Sequence, residues 1–163
     1  MKDQLHFWES LPGFSVNEKE HLTLNSVDLV DLAALSDRPL YVFNELAIRN
    51  NIAAYRSALK AYYPGKSDIF YASKAFLNLG ICCLLNQEEV GLDVCTEGEF
   101  FIAQKAGVRS EKIIFHGNNK SYTELEKAIE ANIRSIIVDN ACELDDILSI
   151  CQTKNVTAHT TPH

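Results

Sequence analysis

The chain has 163 residues, of which 47% are hydrophobic and 23% are charged. This composition is that of an ordinary globular domain with a core of its own, which argues against a disordered or fibrous protein. The net charge is −7 and the 15 lysines and arginines are scattered. Without a basic stripe to contact a phosphate backbone, nucleic acid is a poor partner.

The sequence also argues against a membrane protein and against a secreted protein held together by disulfides. No apolar run approaches the ~20 residues that span a bilayer, and residues 1–6 include acidic and polar residues where a secretory signal has an apolar core. We therefore expect a cytoplasmic protein with no membrane partner. The five cysteines form no CxxC pair, which indicates reduced thiols and predicts neither a disulfide framework nor a metal site.

Residues 1–38 form the least regular part of the chain and carry no predicted chemistry. Residues 21–24 alternate like a short strand, and residues 25–26 are turn formers. The apolar residues between positions 27 and 35 predict a short helix. We interpret the whole stretch as an N-terminal lead-in to a domain that begins at residue 39.

The first strand and helix of that domain are predicted directly after Pro39. Residues 40–43 form a compact apolar run, as in strands that are buried on both faces. Asn44 is then a suitable N-cap, and Pro64 followed by Gly65 stops the helix. An apolar stripe at spacings of three and four predicts about four turns between them: Ile48, Ile52, Tyr55, Leu59 and Tyr62.

Four more strand-helix units follow in the same order. Their strands are predicted at residues 69–71, 91–95, 113–115 and 135–138. Two of the helices open with the spacing of a capping box, Thr96 with Glu99 and Ser121 with Glu124. Five such units with short connections predict an α/β fold with a parallel sheet.

The sequence is compatible with two arrangements of this sheet: an open, doubly wound sheet or part of a (β/α)₈ barrel. A complete barrel needs about 250 residues, so the barrel alternative is an incomplete one. We assign residues 39–158 to a partial barrel, with the start of a sixth strand at residues 155–158. Residues 159–163 include Pro162 and are predicted to be an irregular tail.

The candidate functional residues are Lys74, Asp93, Glu99 and His116, each at or just beyond the carboxyl end of a predicted strand. Such loops meet at one face of a parallel sheet, which would place a lysine nucleophile beside two carboxylates and an imidazole. Lysine forms a Schiff base only as the neutral amine. From spacing alone, a solvated lysine, a capping Glu99, a strand-end Asp93 and a loop His116 are the more common explanations of these residues, so spacing alone leaves the function undecided.

The motifs resemble those of a known family. They are Pro-Leu-Tyr-Val at residues 39–42, Tyr-Ala-Ser-Lys-Ala at residues 71–75, Asp93 followed by Glu99, and Phe-His-Gly-Asn-Asn-Lys-Ser at residues 115–121. The chain is similar to the amino-terminal half of the diaminopimelate decarboxylases, in the alanine-racemase-like or ornithine-decarboxylase-like group of pyridoxal-phosphate enzymes. The resemblance runs from about residue 20 to residue 156.

The resemblance implies a cofactor, a reaction and a set of site residues. Lys74 would be the catalytic residue and would carry pyridoxal 5′-phosphate as a Schiff base, with Asp93, Glu99 and His116 also binding the cofactor. The substrate implied is a small amino acid, meso-2,6-diaminopimelate, which is decarboxylated to L-lysine. Decarboxylation of ornithine, arginine or carboxynorspermidine, or a non-catalytic pyridoxal-phosphate-binding protein, are the alternatives.

The chain also departs from the family pattern. Residues 96–99 are Thr-Glu-Gly-Glu where the family commonly has Ser-Gly-Gly-Glu, and Phe76 stands where many members have Asn. The family's glycine-rich phosphate loop and carboxy-terminal β-domain have no counterpart in the 163 residues. We therefore expect a truncated form or fragment with weak cofactor binding and little activity by itself, related to enzymes that form homodimers.

Overall fold

The computed structural model describes residues 10–163. Residues 1–9 of the predicted lead-in lie outside the described residues. Packing divides the chain into two compact units, one that ends at Pro64 and one from Gly65 to His163. The domain boundary that the sequence places after residue 38 stays a prediction.

The first unit contains a small antiparallel sheet and two helices. Its strands are β1 (Phe14–Val16), β2 (Leu22–Leu24) and β3 (Val27–Asp28), and the short helix α1 (Leu29–Ala33) follows. Asn25 and Ser26 both have positive φ, 47° and 69°, as a two-residue hairpin turn requires. The strand, turn and short helix predicted for this stretch are present, but Val27, which the sequence assigns to the helix, lies in β3.

The long helix α2 (Glu45–Tyr62) begins and ends where the sequence predicts. The side-chain oxygen of Asn44 accepts a hydrogen bond from the Ala47 N–H at 3.0 Å. Of the predicted apolar stripe, Ile52 is the buried residue, whereas Tyr62 is 88% exposed. No helix in residues 10–163 is both long and apolar enough to cross a membrane.

The strand predicted at residues 40–43 is not formed. This stretch belongs to neither of the two sheets that the structure describes, and its four side chains are 46–91% exposed. An apolar run favours a strand, but a strand also requires a neighbour that completes its backbone hydrogen bonds. None of the described strands pairs with this segment, which leads into α2.

The second unit is a five-stranded parallel sheet whose strands pair in chain order. The strands are β4 (Phe70–Ala72), β5 (Gly91–Val94), β6 (Ile113–Phe115), β7 (Ser135–Val138) and β8 (Thr160–Pro162). They are connected by the helices α3 (Leu79–Gln87), α4 (Glu97–Lys105), α5 (Tyr122–Glu130) and α6 (Ala141–Lys154). The predicted α/β fold class is confirmed.

The last strand lies later in the chain than the sequence indicates. Helix α6 continues to Lys154, and Asn155 ends it in the left-handed conformation at φ 52°. Residues 155–158 are therefore a connection, and Thr160–Pro162 pairs with β7. The expected irregular tail at residues 159–163 is wrong. Proline is tolerated because β8, among the described strands, is an edge strand with a single neighbour.

The two faces of this sheet differ in burial. Alternate residues on one face are almost completely buried by the helices, namely Leu92, Val94, Ile113, Phe115 and Ile136. The residues between them, including Asp93, Ile114 and Ile137, are only partly buried. We call this second side the open face. The candidate residue Asp93 lies on it.

Candidate active site

Lys74 lies just beyond the carboxyl end of β4. The chain makes a short 3₁₀ turn over Ser73–Ala75, in which Ser73 is buried and Lys74 is exposed. The Tyr71 hydroxyl donates a hydrogen bond to the Phe76 carbonyl at 2.9 Å, and partial burial raises the pKa of Tyr71. The backbone on both sides of Lys74 is thus anchored while its side chain extends outward.

An open pocket of about 420 Å³ lies beside Lys74. Its other lining residues come from the stretches after the remaining four strands: Cys95, His116, Gly117, Asn118, Asn119, Asp139 and His163. All five parallel strands therefore contribute to one pocket at their carboxyl ends. This is the place where open and barrel-type α/β sheets bind their ligands.

His116 and Asp93 are neighbours, as the strand-end positions predict. The His116 N–H donates to the Val94 carbonyl at 2.8 Å, which continues the ladder between β5 and β6. Its ring nitrogen Nδ1 is 3.6 Å from Asp93 Oδ2, and its ring centroid is 5.1 Å from that of His163. The second oxygen, Asp93 Oδ1, is buried and has no hydrogen-bond partner among the described residues.

Glu99 is not among the residues that line the pocket. Its Oε2 accepts the Cys95 N–H at 2.7 Å, and its own N–H donates to Thr96 Oγ1 at 3.2 Å. The predicted capping box is therefore half formed, because the carboxylate binds the residue before the N-cap. Glu99 contacts the pocket only indirectly, through the backbone of Cys95.

Cys95 lines the pocket next to two carboxylates. Burial raises its pKa, and the charges of Asp93 and Glu99 raise the pKa further, while Lys74 and Lys120 act in the opposite direction. The thiolate is the reactive form of cysteine. The raised pKa disfavours the thiolate form of Cys95 at the pocket wall.

A buried ion pair next to the pocket was not predicted from the sequence. Lys120 Nζ lies 2.7 Å from Glu143 Oε1, and the two side chains are 1% and 5% exposed. In the sequence, Lys120 is the end of a polar loop and Glu143 is a residue in the first turn of a helix. Only the loop motif that contains Lys120 signals its importance, and nothing local connects it to Glu143.

Taken together, the sheet and the pocket define a class: a ligand-binding α/β domain with a lysine at the mouth of its site. Residues 47–163 match the family model described as pyridoxal-dependent decarboxylase, pyridoxal binding domain. The chain belongs to this family. Its cofactor is pyridoxal phosphate, as the motifs imply.

Known proteins with similar sequences are diaminopimelate decarboxylases. The chain is 42% identical over 144 residues to the one from Halalkalibacterium halodurans, which covers 88% of this chain and 33% of the relative. It is 44% identical over 141 residues to the one from Bacillus methanolicus, with 86% and 32% covered. The chain thus spans about a third of the length of the curated relatives it matches.

The solved structures lead to the same family. A diaminopimelate decarboxylase from M. jannaschii superposes with a TM-score of 0.86 at 35% identity, covering 92% of this chain and 35% of that chain. The sheet therefore corresponds to part of a barrel, which confirms the partial-barrel prediction over the doubly wound alternative.

The described residues fit a pyridoxal group. The pocket contains an exposed lysine amine for the aldehyde and an imidazole ring, and Asp93 Oδ1 beside it is a buried acceptor that still lacks a donor. Buried carboxylate oxygens are almost always hydrogen-bonded in proteins. A ligand that brings a donor to this oxygen would complete the site.

Proposed function

We propose that this chain is the cofactor-binding part of a decarboxylase that converts meso-2,6-diaminopimelate to L-lysine, and that Lys74 holds pyridoxal phosphate through its amine. The observation that supports this is the position of Lys74 at a pocket that receives residues from the ends of all five strands of the parallel sheet. The substrate is inferred from relatives that carry the name diaminopimelate decarboxylase.

The neighbouring residues have separate roles in this proposal. Asp93 Oδ2 lies 3.6 Å from His116 Nδ1, and this contact helps to orient the imidazole ring at the pocket wall. Asp93 Oδ1 accepts a donor from the ligand. Glu99 acts through the Cys95 backbone, which it holds by a hydrogen bond.

Pyridoxal phosphate, when bound, supplies an electron sink for the electron pair that remains after the carboxylate leaves. The protein groups bind and orient the reactants around it. The chain spans a third of its relatives, so we propose that it binds the cofactor weakly by itself and that turnover requires the remainder of the catalytic machinery. We also propose that the longer relatives assemble as homodimers.

Borohydride trapping tests the role of Lys74. Purified protein is incubated with pyridoxal phosphate and sodium borohydride, which makes the lysine-cofactor bond permanent, and the labelled peptide is mapped by mass spectrometry. We expect the label on Lys74 and a loss of labelling in Lys74→Ala. Lys66→Ala removes another exposed lysine and is the matched control, with labelling unchanged. A label that persists elsewhere in Lys74→Ala would contradict the proposal.

A further inference from the structure

The side chain of Lys120 is 1% exposed, and its ammonium group contacts three protein oxygens. Its Nζ donates to the Gly117 carbonyl at 2.5 Å and the Ile137 carbonyl at 2.8 Å. It also lies 2.7 Å from Glu143 Oε1, a contact that is an ion pair without hydrogen-bond geometry. The buried ammonium of Lys120 is therefore directed at the protein itself, with two of its three N–H donors on backbone carbonyls.

Glu143 extends this contact to the next loop. Its Oε2 accepts the Asp139 N–H at 3.2 Å, while Asn140 caps the N–H of Glu143 at 2.9 Å. Glu143 also lies in the first turn of α6, where a negative charge is favoured by the helix dipole. The same carboxylate thus binds Lys120 on one side and the backbone of pocket-lining Asp139 on the other.

The loop that Lys120 ends is constrained at its other end as well. The His116 N–H is held by the Val94 carbonyl at 2.8 Å. Gly117 has φ +153°, and a Cβ added there would lie 3.4 Å from the Cys95 carbonyl oxygen. A glycine is favoured at this φ, where the loop passes close to the neighbouring strand end. The Gly117 carbonyl also accepts a hydrogen bond from Lys120 Nζ.

We infer that the Lys120–Glu143 pair is a positioning pair for the cofactor site. It joins the loop after β6 to the connection after β7, and these two stretches supply five of the eight pocket-lining residues: His116, Gly117, Asn118, Asn119 and Asp139. The inference rests on the proposed function, because the ligand that this wall receives is the pyridoxal group bound at Lys74.

The buried ion pair is better suited to fixing the conformation of the loop than to increasing the free energy of unfolding. Replacing both residues of a buried ion pair by apolar residues of similar volume often leaves the stability unchanged. Replacing only one of them is destabilising, because the other charge stays buried without a partner. The two hydrogen bonds and the ion pair of Lys120 favour one arrangement of the loop, since a shift of the loop would separate Lys120 from Glu143 and leave the buried carboxylate without its counter-charge. An apolar pair of similar volume would fill the space without specifying the loop.

The double variant Lys120→Met/Glu143→Leu separates these two effects. We expect its Tm to fall by no more than about 5 °C, while each single variant falls further. We also expect its Kd for pyridoxal phosphate, measured by the absorbance of the bound cofactor, to rise at least about tenfold, as for losses of supporting contacts at other sites. The exposed pair Lys154→Met/Glu130→Leu is the matched control and leaves the Kd unchanged.

A second readout needs no cofactor. Hydrogen exchange of the backbone amides at residues 117–119 and 139 in the ligand-free protein should be faster in the double variant and unchanged in the control. Unchanged exchange, or faster exchange with an unchanged Kd, would overturn the positioning role. If the parent chain binds no cofactor at Lys74, the proposed function fails and the cofactor role fails with it; the exchange result then shows separately whether the pair holds the loop.

Discussion

Two lysines next to the same pocket are suited to different tasks because of what surrounds them. Lys74 is exposed at the pocket mouth, whereas Lys120 is buried, donates hydrogen bonds to the Gly117 and Ile137 carbonyls and is ion-paired with Glu143. A reactive amine must be able to meet its carbonyl partner and to lose a proton. Both residues are lysines, and what distinguishes them is that Lys74 lines the pocket and is exposed, whereas Lys120 is buried and bound by protein groups.

The pKa of Asp28 makes the first unit sensitive to acid. Burial acts to raise this pKa, but hydrogen bonds from Asp31, His21, Asn17 and Val30 outweigh it and lower the pKa from 3.8 to about 2. Because the folded pKa lies below the unfolded one, Asp28 stabilises the fold above about pH 4. This contribution is lost as the pH falls toward 2.

We expect the Tm of the parent chain to decrease between pH 4 and pH 2 more steeply than that of Asp28→Asn, whose amide does not titrate. The side-chain carbon signal of Asp28, followed by NMR, should titrate near pH 2. The exposed Asp37→Asn is the control and should retain the parent's pH dependence. An Asp28 carboxyl that titrates near pH 4 would show that the hydrogen bonds do not favour its charged form.

At the scale of the elements, three helices begin with a glutamate in the third position, and these glutamates do not bind alike. Glu124 in α5 forms the complete capping box with Ser121 that the sequence predicts. Glu99 in α4 and Glu143 in α6 reach one residue further back, to the N–H groups of Cys95 and Asp139. Both of these residues line the pocket. Two helix starts therefore support the pocket wall.

The capping box of α5 gives a stability prediction. Ser121 Oγ accepts the Glu124 N–H, and the Ser121 N–H donates to Glu124 Oε2 at 2.8 Å. We expect Ser121→Ala to lower the free energy of unfolding by about 1 kcal/mol, as for other N-cap serines. Denaturant unfolding followed by circular dichroism measures this difference.

Ser149→Ala is the matched control for this variant, because Ser149 is exposed within α6 and alanine favours a helix interior. Its free energy of unfolding should equal or exceed that of the parent. A Ser121→Ala variant as stable as Ser149→Ala would mean that the cap contributes nothing measurable.

At the scale of the whole chain, the sheet has the features of part of a barrel. Parallel sheets are normally covered on both faces, yet here helices cover one face while Asp93, Ile114 and Ile137 on the open face are only partly buried. Within the described residues, β4 and β8 each have one unpaired edge. The match to a third of each relative accounts for this pattern.

The same coverage predicts how the chain behaves in an enzyme assay. With pyridoxal phosphate and meso-2,6-diaminopimelate, we expect carbon dioxide release no greater than that of Lys74→Ala. The positive control is the full-length diaminopimelate decarboxylase of Bacillus methanolicus, assayed in parallel. Release at the rate of that relative would contradict the proposal that turnover needs the remaining machinery.

The sequence by itself determined the local features of this protein. The alternation of strands and helices, the N-caps at Asn44 and Ser121, and the position of Lys74 just beyond a strand all follow from neighbouring residues. Each of these signals operates over a few positions, through backbone caps, apolar periodicity and turn formers. The family motifs at residues 71–75 and 115–121 also indicated the pyridoxal cofactor.

Tertiary structure alone decided the features that depend on partners far apart in the chain. Residues 40–43 have the composition of a strand but no neighbour among the described strands, whereas residues 160–162 have one in β7 despite Pro162. The pairing of Lys120 with Glu143 likewise joins two loops through a contact that no local pattern encodes. Strand pairing and ion pairing depend on which segments meet in space, because their energies come from contacts made after the chain has folded.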